Sequence, residues 1–413
     1  MALWLAVLQI EGSEDAAAAH KPTRVQSGLS KAVWNDDVAG ALQARVNAAI
    51  KPFRTPPSFA RSLCYLGRDI LYIACVAWLT QRADAAAWWW LPPAVLAPIY
   101  AVVMGTVATG LWVLAHECGH GAFGSSRWQN DAVGFVLHSL LFVPYWSWQY
   151  SHAKHHKFTN HITLGETWVP STVPHPNPWK LKHKKKKKSR VAGLFEDVAP
   201  VIDMLVTLLV GWPIYLVTNT AGGRTQTDRA TPKDARKWAD HFHSGSQVMP
   251  NTWKIEASTA GCLCTAAGLA VAAWQHGARA VAFWYVGPLL VVNCWLVGYT
   301  YLHHTHEDVP HFGADKFTWL RGALATVDRP YPWVVDHLHH HIGSTHVAHH
   351  LCSAVPHYRA RAMTEALRPV LGNLYNYDPR PVHVALFATP ATCHGVVGLR
   401  GVQHYVKGGT WWS

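Results

Sequence analysis

The chain has 413 residues, half of them apolar and only 15% charged, with 22 Trp, 28 His and a formal charge of +12. A soluble domain carries about a quarter of its residues as charged side chains, so this composition argues against an ordinary soluble fold. Eight scattered Cys with no CxxC pair argue equally against a disulfide framework.

Met1 to Ile10 is apolar but has no basic flank and runs straight into Glu11, Glu14 and Asp15, which suits neither a secretory signal nor a plastid transit segment. Residues 1–50 are therefore expected to be a mobile N-terminal cytosolic arm. An apolar block from Ile70 to Leu79 is interrupted by Arg82 and Asp84, whereas Leu91 to Leu114 is free of charge and opens on Pro92 and Pro93, as a helix start does. Ala115 to His120 extends that helix past the hydrocarbon. Ala132 to Trp148 is short and broken by Pro144, a re-entrant or interfacial pattern. Lys180, Lys182 and Lys184 to Lys188 then put seven positive charges within nine residues, which marks a cytosolic loop beside lipid headgroups or a plain solvated loop.

Further apolar blocks lie at 198–217, 258–274 and 279–302, and the rest is polar. A clean span needs about 20 apolar residues. The expected fold is an all-α integral membrane protein with about four transmembrane helices in two hairpins and a cytosolic His-rich catalytic cap. Residues 70–90 pair with 91–114 and 198–220 with 280–302, leaving 258–274 at the interface. Trp88 to Trp90, Trp146 and Trp148 are read as interface-belt or tunnel-wall residues.

The histidines are not scattered. His116 and His120 stand four apart around Glu117, while His152, His155 and His156 repeat the spacing of His346, His349 and His350. On a helix, spacings of three and four bring imidazoles to one side. Eight of them exceed one tetrahedral ion and suit two metals, although imidazole alone does not say which. His116-Glu117-Cys118-Gly119-His120 also fits the HExxH pattern of a zinc metalloprotease, a reading that leaves six clustered His without a role. His303, His304 and His306 end an apolar block, and His337 and His339 to His341 precede the last cluster.

Boxes of the form HxxxH, HxxHH and HxxHH are the mark of the membrane fatty acid desaturases, which this chain resembles over about residues 50–378. The stretches WLRGALATVDR from Trp319 and HVAHHLCSAVPHY from His346 are similar to plant and algal delta-12 (omega-6) oleate desaturases, with Gly121, Cys352 and Arg359 as departures. The resemblance implies a desaturase domain over 51–378 and a C-terminal cytosolic tail over 379–413. It implies two Fe ions held by His116, His120, His152, His155, His156, His346, His349 and His350, with His304 as a further ligand and His306 as the runner-up. It also implies O2 as co-substrate, oleoyl-phosphatidylcholine as substrate, cytochrome b5 as electron donor and the endoplasmic reticulum membrane rather than a plastid. Homo- or hetero-oligomers with other desaturases are compatible with it, and no nucleic acid is expected. The same boxes occur in omega-3 desaturases and in acyl hydroxylases and epoxygenases, which stand as alternatives. Glu117 is expected to orient its neighbours, and Arg321 and Arg329 to meet headgroups or form loop salt bridges.

Overall fold

The structure, a computed structural model, describes residues 36–85, 93–172, 190–222, 239–393 and 395–406. The Lys-rich run and Trp88 to Trp90 lie outside these, as do residues 1–35 of the expected arm. Among the described residues the chain is all-α apart from one short antiparallel strand pair, β1 (His311–Phe312) with β2 (Val402–Gln403). Five helices are long and apolar enough to cross a membrane.

Helices α2 (Phe59–Ala85) and α3 (Pro93–Gly119) lie side by side. α3 packs most extensively on α8 (Ala278–His304), and a Cβ at Gly105 would come within 2.5 Å of Val291 Cβ and Pro288 O. That small residue lets two apolar helices approach closely, the device membrane bundles use in place of hydrophobic drive. α8 opens with a π-turn at Ala282–Val286 just ahead of Pro288, whose ring cannot continue a regular ladder. It is joined to α7 (Thr252–His276) through Gly277, at φ 86°. Beyond that turn α7 packs on residues 127–139 and 145–157 rather than along α8. α6 (Arg190–Thr218), expected as the partner of α8, does pack on it, by way of Leu208 and Gly211.

Between the hairpins, α4 (Arg127–Ser139) and α5 (Tyr145–Lys157) are short because Phe142 (φ 56°) and Pro144 interrupt the chain. Asn130 ties the turn before α4 by accepting from the backbone N–H of Phe123 and Gly124.

α9 (Trp319–Leu324), α10 (Trp333–Leu338), α11 (His346–Leu351) and α12 (His357–Leu371) build the cap. Its core joins Phe312, Leu324, Val327, Val347, Leu351, Met363 and Leu367. Residues 36–50 of the expected arm form α1 (Asp36–Ile50), which buries Leu42, Val46 and Ile50 in that same core. The expected tail is equally tied in: α13 (Val382–Thr392) buries Val382, Ala385 and Leu386 against α6 and α8. Beyond it, Val396 N–H donates to Ser171 O. Arg329 is fully buried, paired with Asp378 and donating to Leu302 O at 3.2 Å, so it is an internal tie rather than a headgroup contact. Arg321 donates to Lys316 O at 2.6 Å.

Candidate metal centre

α3 delivers His116 from its last turn and His120 from the residue just past its end, and Gly121 at φ 71° closes the helix in the left-handed region, where a side chain is disfavoured. α5 delivers His152, His155 and His156, α8 ends on His304, and α11 carries His346, His349 and His350. The nine imidazoles fall into two groups. His116, His120, His152, His156 and His349 converge on one point, and His155, His304 and His350 on another. His346 joins the second through His304, Nε2 to Nε2 at 3.1 Å.

The spacings decide what the groups can hold. His116, His120 and His152 form a triangle of Nε2 atoms with sides of 2.9, 3.1 and 3.0 Å. A neutral imidazole nitrogen either donates or accepts, never both. Around a triangle two roles cannot alternate, so at least one side must pair like with like. A cation accepting all three lone pairs removes the conflict. Metal–nitrogen bonds of about 2.1 Å at right angles give ligand separations of about 3 Å, the spacing found here. Burial holds His155 and His349 down to about 3 and His152, His156, His346 and His350 well below the ordinary histidine value, with neighbouring imidazoles adding to it in all but His155. Neutral rings keep the lone pairs a metal needs.

Outer partners fix the rings. Thr159 Oγ1 donates to His155 O at 2.7 Å, so it accepts from His350 Nδ1 at 3.1 Å and leaves His350 Nε2 as the acceptor. Trp112 stacks on His116 at 5.5 Å and Trp148 on His152 at 4.7 Å. Gly119 makes room for Trp148, whose ring lies 2.6 Å from where a Cβ would stand. Glu117 is buried, accepts the His357 N–H at 2.8 Å and lies 4.0 Å from His116 Nδ1.

Other histidines find different work. His303 stacks on His346 at 4.0 Å and donates to Gly343 O at 3.2 Å. His306 stands apart, 2.8 Å from Arg380 and 3.6 Å from Asp378. His306, Glu307 and Asp308 could by type hold an ion, but Arg380 already fills their vicinity with positive charge.

Both groups face a cavity of about 580 Å³ reached by His116, His152, His155, His304 and His346. Val113, Val210, Leu296 and Val297 give it an apolar wall, with Trp112, Trp148 and Trp212 beside them. Trp148 therefore lines the cavity, whereas Trp146 packs on Phe135 at 5.1 Å. Sequence reading missed Trp112, Trp212, Thr159 and the buried His138, which sits 4.5 Å from Trp148. One signal was available: Trp112 and Trp148 each precede a clustered His by four residues, the spacing of neighbours on one helix face.

Comparison with known proteins adds independent findings. The family model described as "Fatty acid desaturase" matches residues 87–380. The chain is 37% identical over 355 residues to the delta(12)-fatty-acid desaturase of Arabidopsis thaliana, covering 84% of this chain and 85% of that protein. It is 36% identical to the delta(12) fatty acid desaturase of Mortierella isabellina, over 84% and 86% of the two chains. It is also 36% identical to the omega-6 fatty acid desaturase, endoplasmic reticulum, of Brassica juncea, over 88% and 89%.

Proposed function

The chain belongs to the fatty acid desaturase family, a group of acyl-lipid oxidoreductases, and from that premise we propose that it converts oleoyl to linoleoyl chains on phosphatidylcholine, with electrons from cytochrome b5. The observation that carries the reading is the pair of histidine groups opening on one apolar cavity. His116, His120, His152, His156 and His349 would hold one iron, and His155, His304, His346 and His350 the other. Bound iron supplies the oxidising power that an unactivated methylene demands and acid–base groups lack.

The chain's own residues do the rest. The cavity excludes water and aligns an acyl chain past both groups, while the tryptophans on His116 and His152 keep those rings from turning. The HExxH reading accounts for His116, Glu117 and His120 alone and leaves the other converging histidines without a role, so it is disfavoured.

A four-span arrangement, formed by α2, α3, α7 and α8, fits the chemistry. Ile162 N–H bonds Phe312 O and Ser147 Oγ bonds His241 O, so the chain is tied to the histidine-bearing region both before and after α6. Crossings between two points on one face must be even in number, and the Lys-rich sequence before α6 offers no second one. α6 then lies across the cavity, with Asp203 and Tyr215 both lining it. The cap would face the cytosol of the endoplasmic reticulum.

The test is the acyl profile of a microbial host without polyunsaturated fat. Linoleate formed by the intact chain and not by His155→Ala, together with iron in the purified protein, is the expected result. A hydroxylated product would move the reading to the hydroxylase class, and an unchanged profile with iron-loaded protein and a competent donor would reject the oleoyl assignment.

A further inference from the structure

Residues 36–61 and 357–371 carry seven Lys and Arg against three Asp and Glu, namely Asp36, Asp37 and Glu365. The two segments are folded against each other, because α1 buries Leu42, Val46 and Ile50 beside Met363, Leu367 and Leu371 of α12. Arg45, Lys51, Arg54, Arg61 and Arg361 are exposed as a result. Neutral groups hold several of them: Arg45 reaches Val370 O at 3.3 Å, Arg54 reaches Asn47 Oδ1 at 3.3 Å, and Arg61 lies 4.3 Å over the Tyr358 ring. Arg359, half-buried, clamps the turn by donating to Thr55 O at 2.6 Å. Among the described residues Arg45, Lys51, Arg54, Arg61 and Arg361 make no ion pair, the nearest being His357–Glu117 at 3.7 Å, so these five cations stay exposed without a carboxylate partner.

Beneath the patch runs a short line of rings. Tyr358 stacks on Tyr65 at 5.9 Å, Tyr65 meets His357 at 4.6 Å, and the His357 N–H bonds Glu117, whose other oxygen is 4.0 Å from His116 Nδ1. The patch is on the face where the last turn of α3 carries His116 and α2 begins at Phe59.

We propose that this face docks the external electron carrier, a small protein with acidic residues around its redox centre. The inference rests on the desaturase reading. Converting CH2–CH2 to CH=CH with O2 gives two waters; the substrate supplies two electrons and two protons, and two more of each must come from outside. Two one-electron oxidations of a carrier provide the electrons. Complementary charge steers such a partner and sets its on-rate. Anionic lipid headgroups would also be attracted, but they have no use for a line of rings leading to a histidine group.

The experiment uses the full chain in phosphatidylcholine nanodiscs, with the soluble haem domain of cytochrome b5 as donor and, separately, a reduced neutral mediator. Arg54→Glu with Arg361→Glu is expected to raise KM for the haem domain roughly tenfold and flatten its salt dependence. Saturating kcat and mediator-driven turnover should stay unchanged. Should that variant lose mediator-driven turnover through misfolding, Arg45→Glu with Lys51→Glu reads the same shift. An unchanged KM and salt dependence in a folded variant overturns the proposal, as does loss of binding to anionic vesicles without a KM change, which would make the patch a headgroup surface. No product from the unaltered protein with either donor sinks the desaturase reading itself.

Discussion

Two stretches of this protein are about equally rich in histidine and do opposite things. His346, His349 and His350 turn their rings inward with three other elements' imidazoles, whereas His339, His340 and His341 each meet a conventional partner. His339 bridges Thr106 O at 2.8 Å and the Tyr299 hydroxyl at 2.8 Å, so it ties α3 to α8. His340 pairs with Asp69 at 2.6 Å, and His341 with Asp336 at 2.7 Å. What separates a candidate ligand from a strut is therefore not the residue but whether its nitrogen converges on others of its kind.

The sharpest way to break this contrast is to remove one member of the inward set. His155→Ala should cut linoleate formation by well over a hundredfold and lower bound iron, measured by product analysis and metal content, since even outer partners of a ligand cost about 10–100-fold. Retained iron with full turnover would dismiss the two-group reading. Glu117→Gln, one step outward, keeps an acceptor for His357 but removes the charge near His116. A loss of about tenfold in turnover per iron is expected, and no loss would reduce Glu117 to a packing role.

Much of this is legible in the sequence alone. The boxes name eight of the nine converging histidines because helical spacing of three and four is written in the sequence; the end of the apolar block offered His303, His304 and His306 alike, and only the family resemblance preferred His304. The neighbour of α8 was legible too, since α6 does pack on it, but hydropathy reports length and apolarity and not neighbours, so it did not show that α7 packs on α4 and α5. Nor did the sequence show how firmly its ends are held. Leu42, Val46 and Ile50 look like a short amphipathic stretch until α12 supplies the surface they cover.

The cavity offers a middle-sized test. Val297 is buried and lines it, and Val297→Trp should narrow the space while leaving the histidines in place. Turnover on oleoyl chains is expected to fall about tenfold relative to a chain two carbons shorter, with iron content unchanged. Equal losses on both chains would mean that the substrate does not pass this wall. On the strut side, His339→Phe leaves Tyr299 and Thr106 O without their shared partner and should cost about 1–3 kcal/mol of stability, read by thermal unfolding, with turnover per iron preserved.

His341 should matter least, and its backbone says why. His340 and His341 have φ of 53° and 65°, two consecutive non-glycine residues in the left-handed region. Asn tolerates that region better than His does, and its amide can still donate to Asp336, so the lost ion pair and the relieved backbone oppose each other. The His341–Asp336 pair is partly exposed, which keeps its worth small. His341→Asn is thus expected to shift stability by no more than about 0.5 kcal/mol in either direction, with iron and product unchanged. A drop in iron would place His341 on the wrong side of the comparison, because a strut bound to a carboxylate has no lone pair aimed at the metal to lose.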